Sequence, residues 1–269
     1  MSNTATSVRI IEGGKWTLSR AWRLVGTGLS FALFGIAGLV MALIWFPLIN
    51  LIIRDKSKRA AIAQLSVHKA WRLYIDIMRG LGVLTYDIDC AEKLRNCRGT
   101  VVVANHPSLI DVVFLMAFMR NTRAVVKKGV WNNPFMSGVV KACNFIPNLG
   151  DPEKLVSDCA DTLNDGFNLC IFPEGSRTPV NQTAVYQRGF AHFTMKAHAP
   201  VMMISIEVSP PTLRKHEPWY SIPVTRPHWK IRFVDVIETA NNPAYEQGPI
   251  GVRKLTDDVQ RRIEEEIQK

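Results

Sequence analysis

Thr100-Val101-Val102-Val103-Ala104-Asn105-His106-Pro107-Ser108-Leu109-Ile110-Asp111 is a short β-branched run that stops at a histidine, followed by a mostly apolar stretch with an aspartate near its start. A run of this kind fits a strand buried on both faces, and residues 108–120 read as an apolar helix behind it. Asn168 to Phe172 is a second buried strand, leading directly into Pro173-Glu174-Gly175-Ser176-Arg177. Each polar cluster directly follows an apolar, strand-like run, and the alternation of strands and helices along the chain predicts an α/β domain.

The rest of the chain extends that pattern. Residues 58–82 have helical spacing, broken by Gly80 and Gly82, and Leu84 to Ile88 alternates like a half-exposed strand. Residues 124–126 and 144–146 are further short strands. Asp151-Pro152 opens a helix with an N-cap side chain and a proline at the first turn, and Gly166 closes it. A helix over 189–199 stops at Pro200, residues 201–208 and 229–236 return as strands, and Val252, Leu255, Val259, Ile263 and Ile267 form the stripe of a final amphipathic helix. The polar, proline-containing stretch 209–228 reads as a surface insertion. The fold class expected is α/β: a single domain with a mixed, largely buried sheet flanked by helices, preceded by a membrane-embedded helical segment.

That segment is the thirty residues from Leu24 to Ile53, which carry no charge. A spanning helix needs roughly 20 apolar residues, and a cleavable signal has a shorter core nearer the start. Arg9, Lys15, Arg20 and Arg23 precede it, and Arg54, Lys56, Lys58 and Arg59 follow. With both flanks basic, charge assigns no orientation. The symmetry favours a helical hairpin in one leaflet, with Gly26, Gly28, Gly35, Gly38 and Pro47 available for bending, over a single tilted span. Trp16, Trp22, Trp45 and Phe46 are placed for the lipid–water interface. The expected division is residues 1–57 as anchor and 58–269 as the domain.

Composition agrees with a folded, membrane-associated chain. Of 269 residues 47% are hydrophobic and 21% charged, and the net charge is +10 with a pI near 9.6. The basic residues do not form a tract interleaved with aromatics, so no nucleic acid is expected. Anionic membrane lipids or an acidic carrier protein fit better. Cys90, Cys97, Cys143, Cys159 and Cys170 lack metal-ligand spacing and sit mostly in apolar runs, as buried reduced thiols do; no metal site is expected.

On one ideal helix, positions five apart diverge by about 140°, so His106 and Asp111 meet only if His106 lies on the loop before the helix. Pro107 favours that, because it moves His106 away from helical dihedrals. Asp111 then accepts from one imidazole nitrogen and fixes the tautomer, leaving the other as a base. In the second cluster, Gly175 allows close backbone approach, and Ser176 and Arg177 offer donors for an anion.

Asn105 to Asp111 and Phe172 to Arg177 resemble the N-H-x-x-x-x-D and F-P-E-G-[ST]-R blocks of the glycerolipid acyltransferases, whose best-known members acylate lysophosphatidic acid. Lys127-Lys128 stands where that family has a basic pair, Gly189 matches a glycine after the third block, and Ala199-Pro200-Val201 begins the fourth. The resemblance covers about residues 100–206. It implies single displacement: His106 deprotonates the acceptor hydroxyl, which attacks the thioester of acyl-CoA or an acyl carrier protein, while Asp111 orients the imidazole and loop amides meet the oxyanion. It further implies that Glu174, Gly175, Ser176 and Arg177, with Lys127 and Lys128, bind the lysophospholipid, and that no cofactor is needed beyond the acyl-CoA or acyl carrier protein donor. Where the family often has another cation this chain has Asn148, which leaves Arg177 as the main phosphate candidate. Ser108 reads as a loop or cap residue. The implied place is the membrane, with the catalytic domain facing the cytoplasm (at the inner membrane in a bacterium). Other readings are the same chemistry on a different lipid or glycolipid acceptor, and a non-catalytic lipid or carrier-protein binder. A thioesterase or lipase lacks support, because no G-x-S-x-G elbow is present and Cys170 lies within an apolar strand.

Overall fold

The computed structural model describes residues 17–133, 136–178, 184–245 and 248–269. It opens with α1 (Leu18–Val40), which passes through one π turn (Met41–Trp45) into α2 (Phe46–Ile52) before α3 (Lys56–Gly80). Then follow β1 (Thr85–Ile88), α4 (Ala91–Asn96), β2 (Val101–Ala104), α5 (Asp111–Phe118), β3 (Thr122–Lys127), α6 (Lys128–Trp131), α7 (Ser137–Ala142) and β4 (Ile146–Asn148). The remainder comprises α8 (Pro152–Asn164), β5 (Asn168–Ile171), α9 (Gly189–Ala197), β6 (Val201–Ser209), β7 (His228–Ile237), a 3₁₀ turn at Pro243–Tyr245 and α10 (Pro249–Ile267).

The seven strands form one mixed sheet in the order β1-β7-β6-β2-β5-β3-β4, parallel throughout except where β6 meets β7. β2 sits at its centre with all four residues buried, as its β-branched sequence requires. The strand period of two splits the core. Val102 and Ala104 join the cluster under α3 and α5, while Val101 and Val103 join the one packed with α8, α9 and α10. α8 begins as expected, with the Asp151 side chain accepting from the Lys154 amide at 3.0 Å. On α10, Val252, Leu255, Val259 and Ile263 are buried and only Ile267 is open. The strand expected over 144–146 lies two residues later, because Asn144 adopts a left-handed φ of 53° and ends the preceding turn.

The N-terminal segment departs from expectation in shape. Residues 18–52 do not fold back on themselves: they form one continuous helix, roughly 50 Å long at 1.5 Å per residue. Gly35 and Gly38 lie inside it, and the π turn widens the backbone just ahead of Pro47, which has no amide hydrogen to give. The chain reverses at Ile53–Asp55, so the second arm of the hairpin is α3, and the expected boundary after residue 57 falls inside that helix. Trp22 Nε1 on the Leu81 carbonyl (2.8 Å), the Phe34–Tyr74 ring pair and Trp45 Nε1 on Ser66 Oγ (2.9 Å) trace the two arms side by side.

Arg20 and Arg23 are not membrane-surface cations. Both are buried, with Arg20 Nε donating to the Ile222 carbonyl (2.9 Å) and Arg23 to the carbonyls of Thr225 (2.5 Å) and Val224 (2.6 Å). Phe46 is likewise in the core, whereas Trp22 and Trp45 are exposed; Arg9, Lys15 and Trp16 lie outside the described residues. The stretch 209–228 is no surface insertion either. Thr212, Leu213 and Ile222 are buried, and the segment joins α1 to the end of β2.

All five cysteines are free and buried. Burial pushes the Cys97 thiol up to about 11 and those of Cys90, Cys143, Cys159 and Cys170 up to about 12. Since the thiolate is the reactive form, the native protein should take up no aromatic disulfide reagent at pH 8 and react at all five positions once unfolded, as absorbance would record.

Candidate active site

His106 lies on the loop beyond β2, and Asp111 is the first residue of α5, the arrangement that lets them meet. Imidazole Nδ1 is 3.0 Å from Asp111 Oδ2, which also accepts the Ser108 amide at 2.6 Å. Trp229 Nε1 donates to Oδ1 at 3.0 Å. Asp111 is wholly buried, and burial pushes its carboxyl up while the donors from His106, Ser108 and Trp229 pull it down. An unpaired carboxylate in that position would cost several kcal/mol; the three donors offset part of that, and burial still holds the carboxyl above its ordinary range. An amide and an indole can only donate. Both oxygens therefore accept, and with Asp111 ionised Nδ1 is the donor to it. Nε2 has no protein partner among the described residues, and the His106 side chain is 16% exposed.

Neighbouring elements hold the ring in place. Phe172, just past β5, stacks on it with centroids 4.3 Å apart. Glu174 Oε1 accepts the His106 amide at 2.9 Å, and Oε2 accepts the Thr178 hydroxyl. Asn105 continues the β2–β6 ladder with its side chain: Nδ2 donates to the Ile206 carbonyl (2.8 Å) and Oδ1 accepts the Ile206 amide (2.7 Å). Ser108 Oγ donates to the Thr212 carbonyl at 3.0 Å, and the Leu109 amide to the Leu213 carbonyl at 3.1 Å. The amides of His106, Ser108 and Leu109 are therefore committed, and an oxyanion would have to be met by other donors.

Gly175 has φ +68°, a left-handed turn that an L side chain would strain. Its carbonyl accepts Lys127 Nζ at 2.6 Å, and Ser176 Oγ accepts Lys215 Nζ at 3.2 Å. Arg177 Nη1 donates to the carbonyls of Leu213 (2.8 Å) and Arg214 (3.0 Å). Lys128 opens α6 as an exposed cation. The structure thus gathers His106, Asp111, Glu174, Gly175, Ser176, Arg177 and Lys127 where β2, β3 and β5 end, the edge at which open α/β sheets bind ligands. The chemistry on offer is an oriented imidazole beside cationic side chains.

An Acyltransferase family model matches residues 87–207, which contain both motif blocks. That match, over somewhat less than half of the chain, makes it similar to the glycerolipid acyltransferases. Among its relatives, the chloroplastic 1-acyl-sn-glycerol-3-phosphate acyltransferase of Brassica napus is 24% identical over 110 residues, 39% of this chain and 32% of that protein. The 1-acyl-sn-glycerol-3-phosphate acyltransferase of Pseudomonas aeruginosa is 25% identical over 139 residues, 50% of this chain and 54% of that one. The matches therefore span from about a third to about half of those relatives' lengths. The crystal structure of the 1-acyl-sn-glycerophosphate (LPA) acyltransferase PlsC from Thermotoga maritima superposes with a TM-score of 0.69 at 18% identity, over 94% of this chain and 99% of that one, and shares its fold.

Set against this family's two blocks, Trp229 is what the motifs do not reveal. It stands 118 positions beyond Asp111 and has no local signature. The Leu213 and Arg214 carbonyls were equally hidden, because main-chain groups leave no trace in residue identity.

Proposed function

We propose that this chain transfers a fatty acyl group from a thioester, acyl-CoA or acyl carrier protein, to the hydroxyl of a lysophospholipid, with 1-acyl-sn-glycerol-3-phosphate as acceptor and phosphatidic acid as product. The observation that carries this reading is the contact of His106 Nδ1 with buried Asp111 Oδ2 at 3.0 Å, which supports Nε2 as the base. Nε2 takes the hydroxyl proton as the acceptor oxygen attacks the thioester carbonyl. The tetrahedral adduct then expels the thiolate, which recovers the proton from the imidazolium, and Asp111 remains an anion throughout. The steps need no further cofactor.

The chain's place is read from α1 and α2. Their outer face presents Val25, Leu29, Ile36, Leu43, Leu51 and Ile52 to the surroundings, while the inner face is fastened to the domain from Arg23 to Ile49. A helix that crosses a bilayer core of about 30 Å cannot have a domain packed along its length. We therefore place it flat in one leaflet, with the domain on the cytoplasmic side.

Arg177 is the residue proposed to meet the acceptor phosphate. Arg177→Ala should lose about 1.5–3 kcal/mol of charge-assisted interaction, roughly 10–150-fold in kcat/KM with 1-acyl-sn-glycerol-3-phosphate. Arg177→Lys should recover only part, since an ammonium lacks the planar fork. One observation favours a second acceptor class: Arg177 Nη1 is already engaged by two carbonyls, and Asn148 adds no charge. An acceptor panel assayed by lipid mass spectrometry decides. Equal turnover of a phosphate-free lipid, indifferent to Arg177→Ala, would replace the phosphate reading with the alternative.

A further inference from the structure

Opposite the carboxyl ends of β3 and β4, where the hairpin of α2 and α3 turns beside α7, lies an open cavity of about 620 Å³. Lys56, Arg59 and Lys141 line it together with Phe46, Ala60 and Asn144, and no acidic side chain among the described residues does. None of these three cations has a carboxylate partner among the described residues. Lys141 also lies over the Trp131 ring at 5.6 Å, but three positive charges without a carboxylate around one concavity repel one another, an arrangement that an anion relieves. The cavity is separate from the active site. Asn144 precedes β4, whereas His106, Lys127 and Gly175 follow the other ends of the strands. Its lining residues Phe46, Pro47 and Ile49 belong to the helix that exposes Leu43, Leu48, Leu51 and Ile52 on its outer face.

From this geometry we propose that the cavity holds the headgroup phosphate of an anionic bilayer phospholipid, a resident lipid distinct from the substrate, whose acyl chains lie along the outer face of α2. A soluble anion would gain nothing from that apolar face, which is why a lipid is the occupant. The bound headgroup would fix how deeply and at what tilt the domain sits on the membrane. The proposal rests on the reading that α1 and α2 lie in one leaflet.

The test is flotation of the purified full chain with vesicles of phosphatidylcholine alone, or of phosphatidylcholine with phosphatidylglycerol. The triple variant Lys56→Gln/Arg59→Gln/Lys141→Gln should lose at least about tenfold of the affinity for the anionic vesicles, since each surface cation contributes substantially to such binding, and keep its affinity for the neutral ones. Ala60→Phe, which fills the cavity with every charge intact, should lose the anionic preference as well, its folding being checked by circular dichroism. A control of equal charge change elsewhere, Arg95→Gln/Lys230→Gln/Lys254→Gln, should change little. Glycerol phosphate in solution should not compete. If Ala60→Phe keeps the preference, or the control loses as much as the triple variant, the attraction is diffuse and the cavity is not a site. Competition by glycerol phosphate would make it a soluble-anion site and overturn the lipid. Failure of the wild type to bind either vesicle would remove the leaflet reading and this proposal together. The proposed acyl transfer is judged separately, because His106→Ala should leave flotation unchanged.

Discussion

His106→Ala should lower acyl transfer by about 10²–10⁴-fold while the protein stays folded, the range expected when a general base is removed. The ring is partly exposed and stacks on Phe172, so its loss leaves the buried core clusters intact. The amide that Glu174 accepts belongs to the main chain and survives the substitution. Steady-state rates with acyl-CoA, beside a thermal melt, check both halves. A folded variant turning over at close to the normal rate would dismiss His106 as the base, and an acyl group retained covalently on the protein would point to a nucleophile instead.

Asp111→Asn should be as severe, about 10³–10⁴-fold, although it changes the side chain's volume very little. The carboxylate accepts the Trp229 indole on one oxygen, and the Ser108 amide and His106 Nδ1 on the other. A carboxamide has a single acceptor oxygen. If that oxygen faces Trp229, the NH₂ group confronts the Ser108 amide and forces Nδ1 to accept, which moves the imidazole proton to Nε2 and removes the base. If the oxygen faces His106 and Ser108, the NH₂ group meets the indole N–H, and a buried donor is left unsatisfied at a cost of about 1–3 kcal/mol. Nitrogen-15 spectra of the His106 ring distinguish the outcomes: a changed tautomer accompanies lost turnover in the first, a lowered melting temperature marks the second. Unaltered tautomer, stability and rate would show that Asp111 does not orient His106.

Much of the frame was legible because it depends on near neighbours. The β-branched run at Val101–Val103, the Asp151-Pro152 helix start and the α10 stripe all express periods or caps that span a few residues. Pro107 was enough to take His106 off the helix and so to bring it to Asp111. The Leu24–Ile53 stretch misled for a related reason. Glycines and a proline in an apolar run permit a turn, but hydropathy carries no information about whether the helix instead lies on a domain. Here α3 and the 209–228 segment give it a surface to follow, and Arg20 and Arg23 find buried carbonyls in place of lipid phosphates.

By itself, then, the sequence determined the alternation of strands and helices, the two motif blocks at strand ends, the His106–Asp111 pair and an apolar N-terminal stretch long enough for a membrane. Each of these follows from chemistry within a few positions along the chain. Only the tertiary structure decided that Trp229 completes the shell of Asp111, that Glu174 and Arg177 bind main-chain groups of other segments, and that α1 is fastened along the domain. Those contacts join residues far apart in sequence, from 36 positions for Arg177 and Leu213 to 202 for Arg23 and Thr225. Strand order and the course of the 209–228 segment set them, and neither leaves a periodic mark in the local sequence.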